Sequence, residues 1–336
     1  MNDMLKAMEE LGLELVDNKI VSKLNGMSIE EIESMLKNKP KMILVVGPTA
    51  SGKTALSIEL AKHFNAEIVN ADARYIYKEP IIATAKVTKE EMSNIPHHMI
   101  DLISLNDDYS IYDFQKEGRK VINSLLSNGK NVIVVGGSGL YVKALLYDYQ
   151  LKETVKSNMD FSALSSEELK SKIDEIDPEN EIHINNRKRM ERFLSHYYES
   201  GDTIKKTESI NSPVYDFITI GLNSDRNELY DRINSRVDYM FDNGLLEEAK
   251  SLKDFKHFNE VIGYRELTSY FNNEITLEDA KNSIKQDTRH LAKRQVTWFK
   301  NQMNDINWID VNYNNFNETI NKIISSLDDY YKEKQS

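Results

Sequence analysis

Apolar residues in this chain fall into two patterns, short unbroken runs and longer helical stripes. Met42-Ile43-Leu44-Val45-Val46 and Asn131-Val132-Ile133-Val134-Val135 are runs of strand length with no polar alternation, the pattern of strands covered on both faces. Glu67-Ile68-Val69-Asn70 and Asp216-Phe217-Ile218-Thr219-Ile220-Gly221-Leu222 add two more strands. Helical spacing is read over 109–127, 225–242, 245–254 and 276–302, and in the last of these Leu277, Ala280, Ile284, Leu291 and Trp298 form an inward stripe. Strands alternating with helices predict a parallel sheet flanked by helices, an α/β fold.

Two stretches depart from this alternation. Residues 1–40 read as a helical N-terminal extension: Ser28-Ile29-Glu30-Glu31 is a capping box opening a helix from Ile29 to Lys37, and Pro40 stops it. Residues 150–210 are polar, with Ser165-Ser166-Glu167-Glu168 as a helix start and Arg187-Lys188-Arg189 in a basic helix, and read as a small helical insertion. The expected organisation is an extension (1–40), a core (41–149), the insertion (150–210), and a return to the core with C-terminal helices (211–336). Asn312 to Asn317 reads as a polar loop.

Composition narrows the classes. The 336 residues are 40% hydrophobic and 29% charged, enough for a large core in a globular protein. No apolar run has the length of a bilayer span and the first residues lack a secretory pattern, so a cytoplasmic, membrane-free protein is expected; the oligomeric state is not read from the sequence, with a monomer favoured. With no cysteine, disulfides, thiolate chemistry and Cys-based zinc sites are excluded. A net charge of −11 argues against indiscriminate nucleic-acid binding, so any such surface has to be local.

The candidate chemistry begins at Gly47-Pro48-Thr49-Ala50-Ser51-Gly52-Lys53-Thr54, set between the first strand and a helix-like Ala55-to-Leu60. This is the G-x-x-x-x-G-K-[ST] phosphate loop in its proper setting. Turn glycines let successive N–H groups converge on phosphate oxygens, Lys53 adds a point charge, and Thr54 offers a hydroxyl for Mg²⁺. The fold class expected is therefore a P-loop NTPase-like sheet with a helical insertion and a helical C-terminal part.

Other residues gather at the same sheet edge. Asp72 follows the second strand and reads either as a base or metal partner, or as the cap of the next turn. In Thr84-Ala85-Lys86, spacing does not decide whether Lys86 meets phosphate or is a surface lysine. Gly137 and Gly139 in Gly136-Gly137-Ser138-Gly139 lie where α/β proteins place ligands, or simply allow the turn. His97 and His98 read as packing residues rather than metal ligands. Arg232 and Arg236 share a helix face and suit either a diphosphate or a face salt-bridged with Asp231 and Asp238. Lys285, Arg289 and Lys293, with His290 and Arg294 beside them, form a basic ridge that suits a phosphate backbone or solvent.

Taken in order, these residues resemble the tRNA dimethylallyltransferase (tRNA isopentenyltransferase) family. The likeness runs from about Met42 to Asp310. It includes GPTASGKT, Asn70-Ala71-Asp72, Thr84-Ala85-Lys86 and Pro96-to-Asp101, then Gly136-to-Tyr141, Arg232-to-Arg236, Ile262-to-Glu266 and Leu291-to-Phe299.

The resemblance implies transfer of dimethylallyl from its diphosphate to the exocyclic amine of the adenosine 3′ to the anticodon. It makes Asp72 the base and Arg236 a catalytic arginine, and Thr54 with Mg²⁺ joins them on the diphosphate. It places Gly47, Thr49, Ala50, Ser51, Gly52, Lys53 and Thr54 on phosphate, and Thr84, Lys86, Gly137, Ser138 and Arg232 on substrate. Arg189, Arg289, Lys293 and Arg294 would meet the tRNA anticodon arm.

The chain departs from the family at Ala73-Arg74, where a serine usually follows the aspartate, at Ala83 and Ser138, and in an insertion shorter than usual. Prenylation of free adenine nucleotides, a P-loop kinase, and a non-catalytic RNA-binding protein remain the competing expectations.

Overall fold

The computed structural model describes residues 39–149, 151, 159–203 and 212–334, together with the backbone of two short strands before them. Those strands, β1 (Leu13–Val16) and β2 (Lys19–Ser22), pair antiparallel with Val16 opposite Lys19. The helical reading of the N-terminal extension is corrected at these residues. Two β-prone runs joined by Asp17-Asn18 carry a hairpin signal, which outweighs a helical reading based on a capping box further along. The helix expected from Ile29 to Lys37 lies outside the described residues.

Six strands form one all-parallel sheet in the order β5-β4-β6-β3-β7-β8. They are β3 (Met42–Val46), β4 (Ala66–Asn70), β5 (His97–His98), β6 (Asn131–Gly136), β7 (Ile218–Asn223) and β8 (Ile306–Asp310). All five residues of β3 are buried, which is why that run shows no alternation. β3 lies between β6 and β7, with Val46 opposite both Gly136 and Gly221, so the segment leaving β3 emerges at the carboxyl edge of the sheet centre.

Helix α1 (Lys53–Phe64) follows β3 directly. After β5 come α2 (Ile111–Ser127), α3 (Gly139–Leu146), α4 (Ser166–Ile176) and α5 (Arg187–Ser200). After β7 come α6 (Arg226–Asp242), α7 (Leu245–Leu252), α8 (Arg265–Phe271) and α9 (Leu277–Gln302), and α10 (Phe316–Glu333) follows β8. α10 begins inside the expected polar loop: Asn312 accepts from the N–H groups of Asn314 and Asn315 in a short 3₁₀ turn, and Asn315 caps the helix at Glu318. The asparagines that read as loop are helix caps.

The contacts divide the chain into two compact units. The first comprises Met1–Asp107, Lys120–Gly139 and Asp216–Ser336, and the second Asp108–Arg119 and Leu140–Tyr215. In the first, Ile43, Val45, Ile68, Ile133, Ile220 and Leu222 of the sheet pack on Leu56, Leu60 and Phe64 of α1 and on Ile320, Ile323 and Leu327 of α10. In the second, Leu169 and Ile173 of α4 pack on Met190, Phe193 and Leu194 of α5. There Ser165 and Glu168 form the reciprocal capping box that opens α4. Among the described residues, no helix is long and apolar enough to cross a membrane.

Candidate active site

From β3 the chain turns into α1 through conformations that its residue types either favour or resist. Gly52 has φ +95°, and a Cβ there would run into the Phe316 ring at 2.5 Å, so both the backbone and the space demand glycine. Ala50 also holds a left-handed φ of 62°, a strain that persists only where the surroundings fix it. Lys53 Nζ donates to Pro48 O at 2.6 Å, folding the side chain back across the loop. Ser51 is fully buried and its Oγ has no partner among the described residues, an orphaned hydroxyl inside the loop. α1 has no acidic residue in its first turn, so the positive end of its dipole is left for an anion.

The loop opens on a cavity of about 1320 Å³. Its floor includes Lys53, Thr54, Asp72 and Tyr75, and one wall is the segment from Ile81 to Thr88. α6 adds a face that presents Arg232, Arg236 and Met240 at every fourth residue, with Arg236 Nη2 3.4 Å from Ala85 O. Asp72 is placed by the end of β4: its N–H donates to Asn70 Oδ1 (3.1 Å), and the Asn70 amide donates to Asp72 O (3.2 Å) and Met99 O (3.0 Å). One carboxylate oxygen, Oδ1, accepts from the Arg74 N–H at 3.0 Å. Oδ1 caps the turn, as the capping reading expects, and Oδ2 makes no hydrogen bond among the described residues. The Arg74 guanidinium reaches Glu260 at 3.5 Å instead of Asp72.

Electrostatics ties the cluster together. Burial pushes the Lys53 ammonium down to about 8, with Asp72 opposing the shift and Arg236 adding to it. Burial likewise lowers Arg236 from its ordinary value, against the influence of Tyr75, Asp72 and Glu91. Burial pushes the Tyr75 phenol up to about 12, and its hydroxyl donates to Ala85 O at 2.9 Å. Two cations whose charge burial disfavours and one carboxylate therefore face a common space, an arrangement that gains from an incoming polyanion.

The model of the IPP transferase family matches residues 75–302. This chain belongs to that family. It is 45% identical over 301 residues to a tRNA dimethylallyltransferase of Streptococcus agalactiae, covering 86% of this chain and 98% of that protein. Over 291 residues it is 43% identical to one of Bacillus anthracis, covering 81% and 91% respectively. Among solved structures, it is similar to the tRNA delta(2)-isopentenylpyrophosphate transferase of Staphylococcus epidermidis (TM-score 0.64, 37% identity, 87% of this chain and 100% of that one). It is also similar to a eukaryotic dimethylallyltransferase acting on tRNA (TM-score 0.68, 29% identity, 81% and 74%).

In this IPP transferase the remaining expected site residues are used unequally. Arg232 lies over the Tyr313 ring at 4.2 Å and donates to Ala50 O at 3.1 Å, so it braces the phosphate loop instead of pairing with Asp231. Thr84 borders the cavity, with its hydroxyl donating to Pro80 O at 2.6 Å. Lys86 is neither a surface lysine nor free for phosphate. It is buried, and its ammonium donates to Tyr77 O, to Lys78 O (3.1 Å) and to Asp101 Oδ1 (2.6 Å), which uses all three of its N–H groups.

Ser138 Oγ accepts from the Ala73 N–H at 3.1 Å, which holds the Asp72 turn, and Gly137 leaves room for Gln295, whose Nε2 would lie 2.4 Å from a Cβ. His98 meets Glu67 at 2.8 Å and His97 meets Ile95 O at 2.8 Å on the edge strand.

The basic ridge of α9 divides. Lys285 pairs with Asp238 at 2.7 Å, and Arg289 donates to Asn234 at 2.6 Å, so both are half-buried against α6. Lys293 and Arg294 are exposed, as is Arg189 on α5 in the second unit. Gln295, quoted within its motif but given no role, accepts the Thr49 N–H at 2.8 Å and so links α9 to the phosphate loop. Tyr75, Glu91 and Phe316 were also missed as cavity residues. Each stands outside any spacing pattern, and only the fold brings them to the loop.

Proposed function

We propose that this protein transfers a dimethylallyl group from dimethylallyl diphosphate to the exocyclic amine of the adenosine on the 3′ side of the anticodon in tRNA. The observation that carries this reading is the convergence of Lys53, Arg236 and Asp72 on the cavity floored by the phosphate loop. The tRNA dimethylallyltransferases to which the chain is similar along most of its length support the reaction class.

The diphosphate lies on the loop N–H groups, with Lys53 and Arg236 offsetting charge that grows as the allylic C–O bond breaks. The adenine nitrogen attacks the allylic carbon, the electron pair of the C–O bond leaves with the diphosphate, and Asp72 takes the proton from the attacking nitrogen. Orientation matters because an aromatic amine is a weak nucleophile. The Asn70, Arg74 and Ser138 hydrogen bonds around the Asp72 turn supply it.

The loop also fits Mg²⁺. Ser51 Oγ is buried without a partner, Thr54 offers a hydroxyl, and Asp72 and Glu91 line the same cavity, an all-oxygen set suited to a hard dication. Thr54 with one of these carboxylates would hold the ion, which neutralises diphosphate charge when bound. The exposed Lys293, Arg294 and Arg189 are assigned to the tRNA backbone.

The test is transfer of radiolabelled dimethylallyl from its diphosphate into unmodified total tRNA, with AMP as a parallel acceptor and Asp72→Ala as control. Label in tRNA that is lost in the control is expected. Label in AMP alone would make the protein a nucleotide prenyltransferase, and no label in either acceptor would overturn the reading.

A further inference from the structure

Among the described residues, Arg236 reaches the cavity wall through one backbone oxygen. Its Nη2 lies 3.4 Å from Ala85 O, the same atom that accepts the Tyr75 hydroxyl. Ala85 holds a φ of 45°, a left-handed conformation that an alanine keeps only when its surroundings impose it. The segment is folded on itself by the Ala85 N–H to Ile82 O (2.9 Å) and the Lys86 N–H to Ile81 O (3.0 Å).

This fold leaves three successive N–H groups, of Ile81, Ile82 and Ala83, aimed at one carboxylate. Glu248 accepts them at 3.1, 2.8 and 3.0 Å, and its Oε1 also accepts the Tyr264 hydroxyl at 2.6 Å. Tyr264 is fully buried and stacks on Phe258 at 5.1 Å between ring centroids, so it is a fixed donor. On the other side, a Cβ at Gly263 would lie 3.3 Å from Ala83 Cβ and one at Gly244 3.7 Å from Ile82 Cδ1, so a side chain at Gly263 would press on the turn.

Resting on the prenyl-transfer reading above, we propose that Glu248 is a positioning residue for Arg236. Held by Tyr264, the Glu248 carboxylate sets the Ile81–Ala85 turn and thereby the carbonyl that aims the Arg236 guanidinium at the leaving diphosphate. A carboxylate suits the role because it accepts at both oxygens and donates at neither. A glutamine at this site would turn an N–H₂ toward N–H or O–H donors.

The test is a double-mutant cycle measured by steady-state transfer of dimethylallyl to tRNA. Glu248→Gln in the wild-type background is expected to lower kcat about tenfold or more, with KM for the diphosphate changing less. In the Arg236→Ala background the same substitution is expected to change kcat by less than about twofold, because the group it positions is gone. Equal effects in the two backgrounds would overturn the proposal and leave Glu248 a general support of the fold. Should Glu248→Gln not fold, judged by its thermal midpoint, Tyr264→Phe removes one of the four hydrogen bonds. It must likewise lose its effect on kcat in the Arg236→Ala background, and additivity there would equally refute the proposal. Absence of transfer by the wild-type protein would instead refute the prenyl-transfer reading, so the two failures are distinct.

Discussion

The loop carrying Lys53 and the segment carrying Lys86 border one cavity, yet they keep their cations in opposite states. Lys53 donates one hydrogen bond, to Pro48 O, inside a loop with an orphaned serine hydroxyl and an unopposed helix dipole. Lys86 donates to Tyr77 O, Lys78 O and Asp101, and its segment is further held by Glu248. The first region is left electrostatically unsatisfied and gains by binding an anion, whereas the second is satisfied by its own fold and serves as a wall. Equal placement at a cavity does not imply equal use. What separates the two lysines is how many acceptors the chain itself brings to each ammonium.

The largest expected effect comes from breaking this contrast on the phosphate side. Lys53→Ala should lower kcat/KM for the diphosphate by about 10²–10³, the scale of losing one donor to developing negative charge, with no loss in thermal midpoint. The sign of the stability effect follows from the depressed ammonium. Burial disfavours the charged form in the folded state, so at pH 7 its removal relieves a desolvation cost that offsets the lost hydrogen bond to Pro48 O. Lys86→Met should do the reverse. Leaving two carbonyls and Asp101 without their donor costs about 2 kcal/mol, read as a lower thermal midpoint, while kcat/KM per folded molecule falls far less than for Lys53→Ala.

Next in size is a pH effect confined to one lysine. The Lys53 cation is present below about 8 and lost above it, so kcat/KM for the diphosphate should fall about tenfold per unit at higher pH. Lys53→Arg should abolish that limb, because a guanidinium stays charged. A limb left unmoved by Lys53→Arg would assign it to another group.

The smallest effects test the same distinction on α9. Lys293→Ala with Arg294→Ala should weaken tRNA binding a few-fold and reduce its salt slope by about 2. Lys285→Ala, which removes a partner of Asp238, should leave the salt slope unchanged and lower stability by about 1 kcal/mol or less.

Much of the core was legible from local pattern. The fully buried β3 and the mostly buried β6 announced themselves as unbroken apolar runs, and Ser165 with Glu168 announced the start of α4. Edge elements were harder to read. β5 is two residues long and β8 is half-exposed, so neither carries the apolar density that marks a buried strand. The hairpin at Leu13 to Ser22 was overlooked in favour of a capping box nearby, and the start of α10 was hidden among asparagines that serve equally in loops and caps.

In the site, residue order alone was enough for what depends on backbone shape: the phosphate loop, its lysine and threonine, and an aspartate just beyond the next strand. These follow from sequence because a turn conformation and its residue requirements are local. The tertiary structure alone decided which charges are free to act. It gave Lys86, Lys285 and Arg289 to protein partners and left Lys293 and Arg294 exposed. It also brought Tyr75, Gln295 and Glu248 to the cavity or its walls. Whether an ion is satisfied depends on acceptors that arrive from distant points of the chain, and no spacing rule along the sequence counts them.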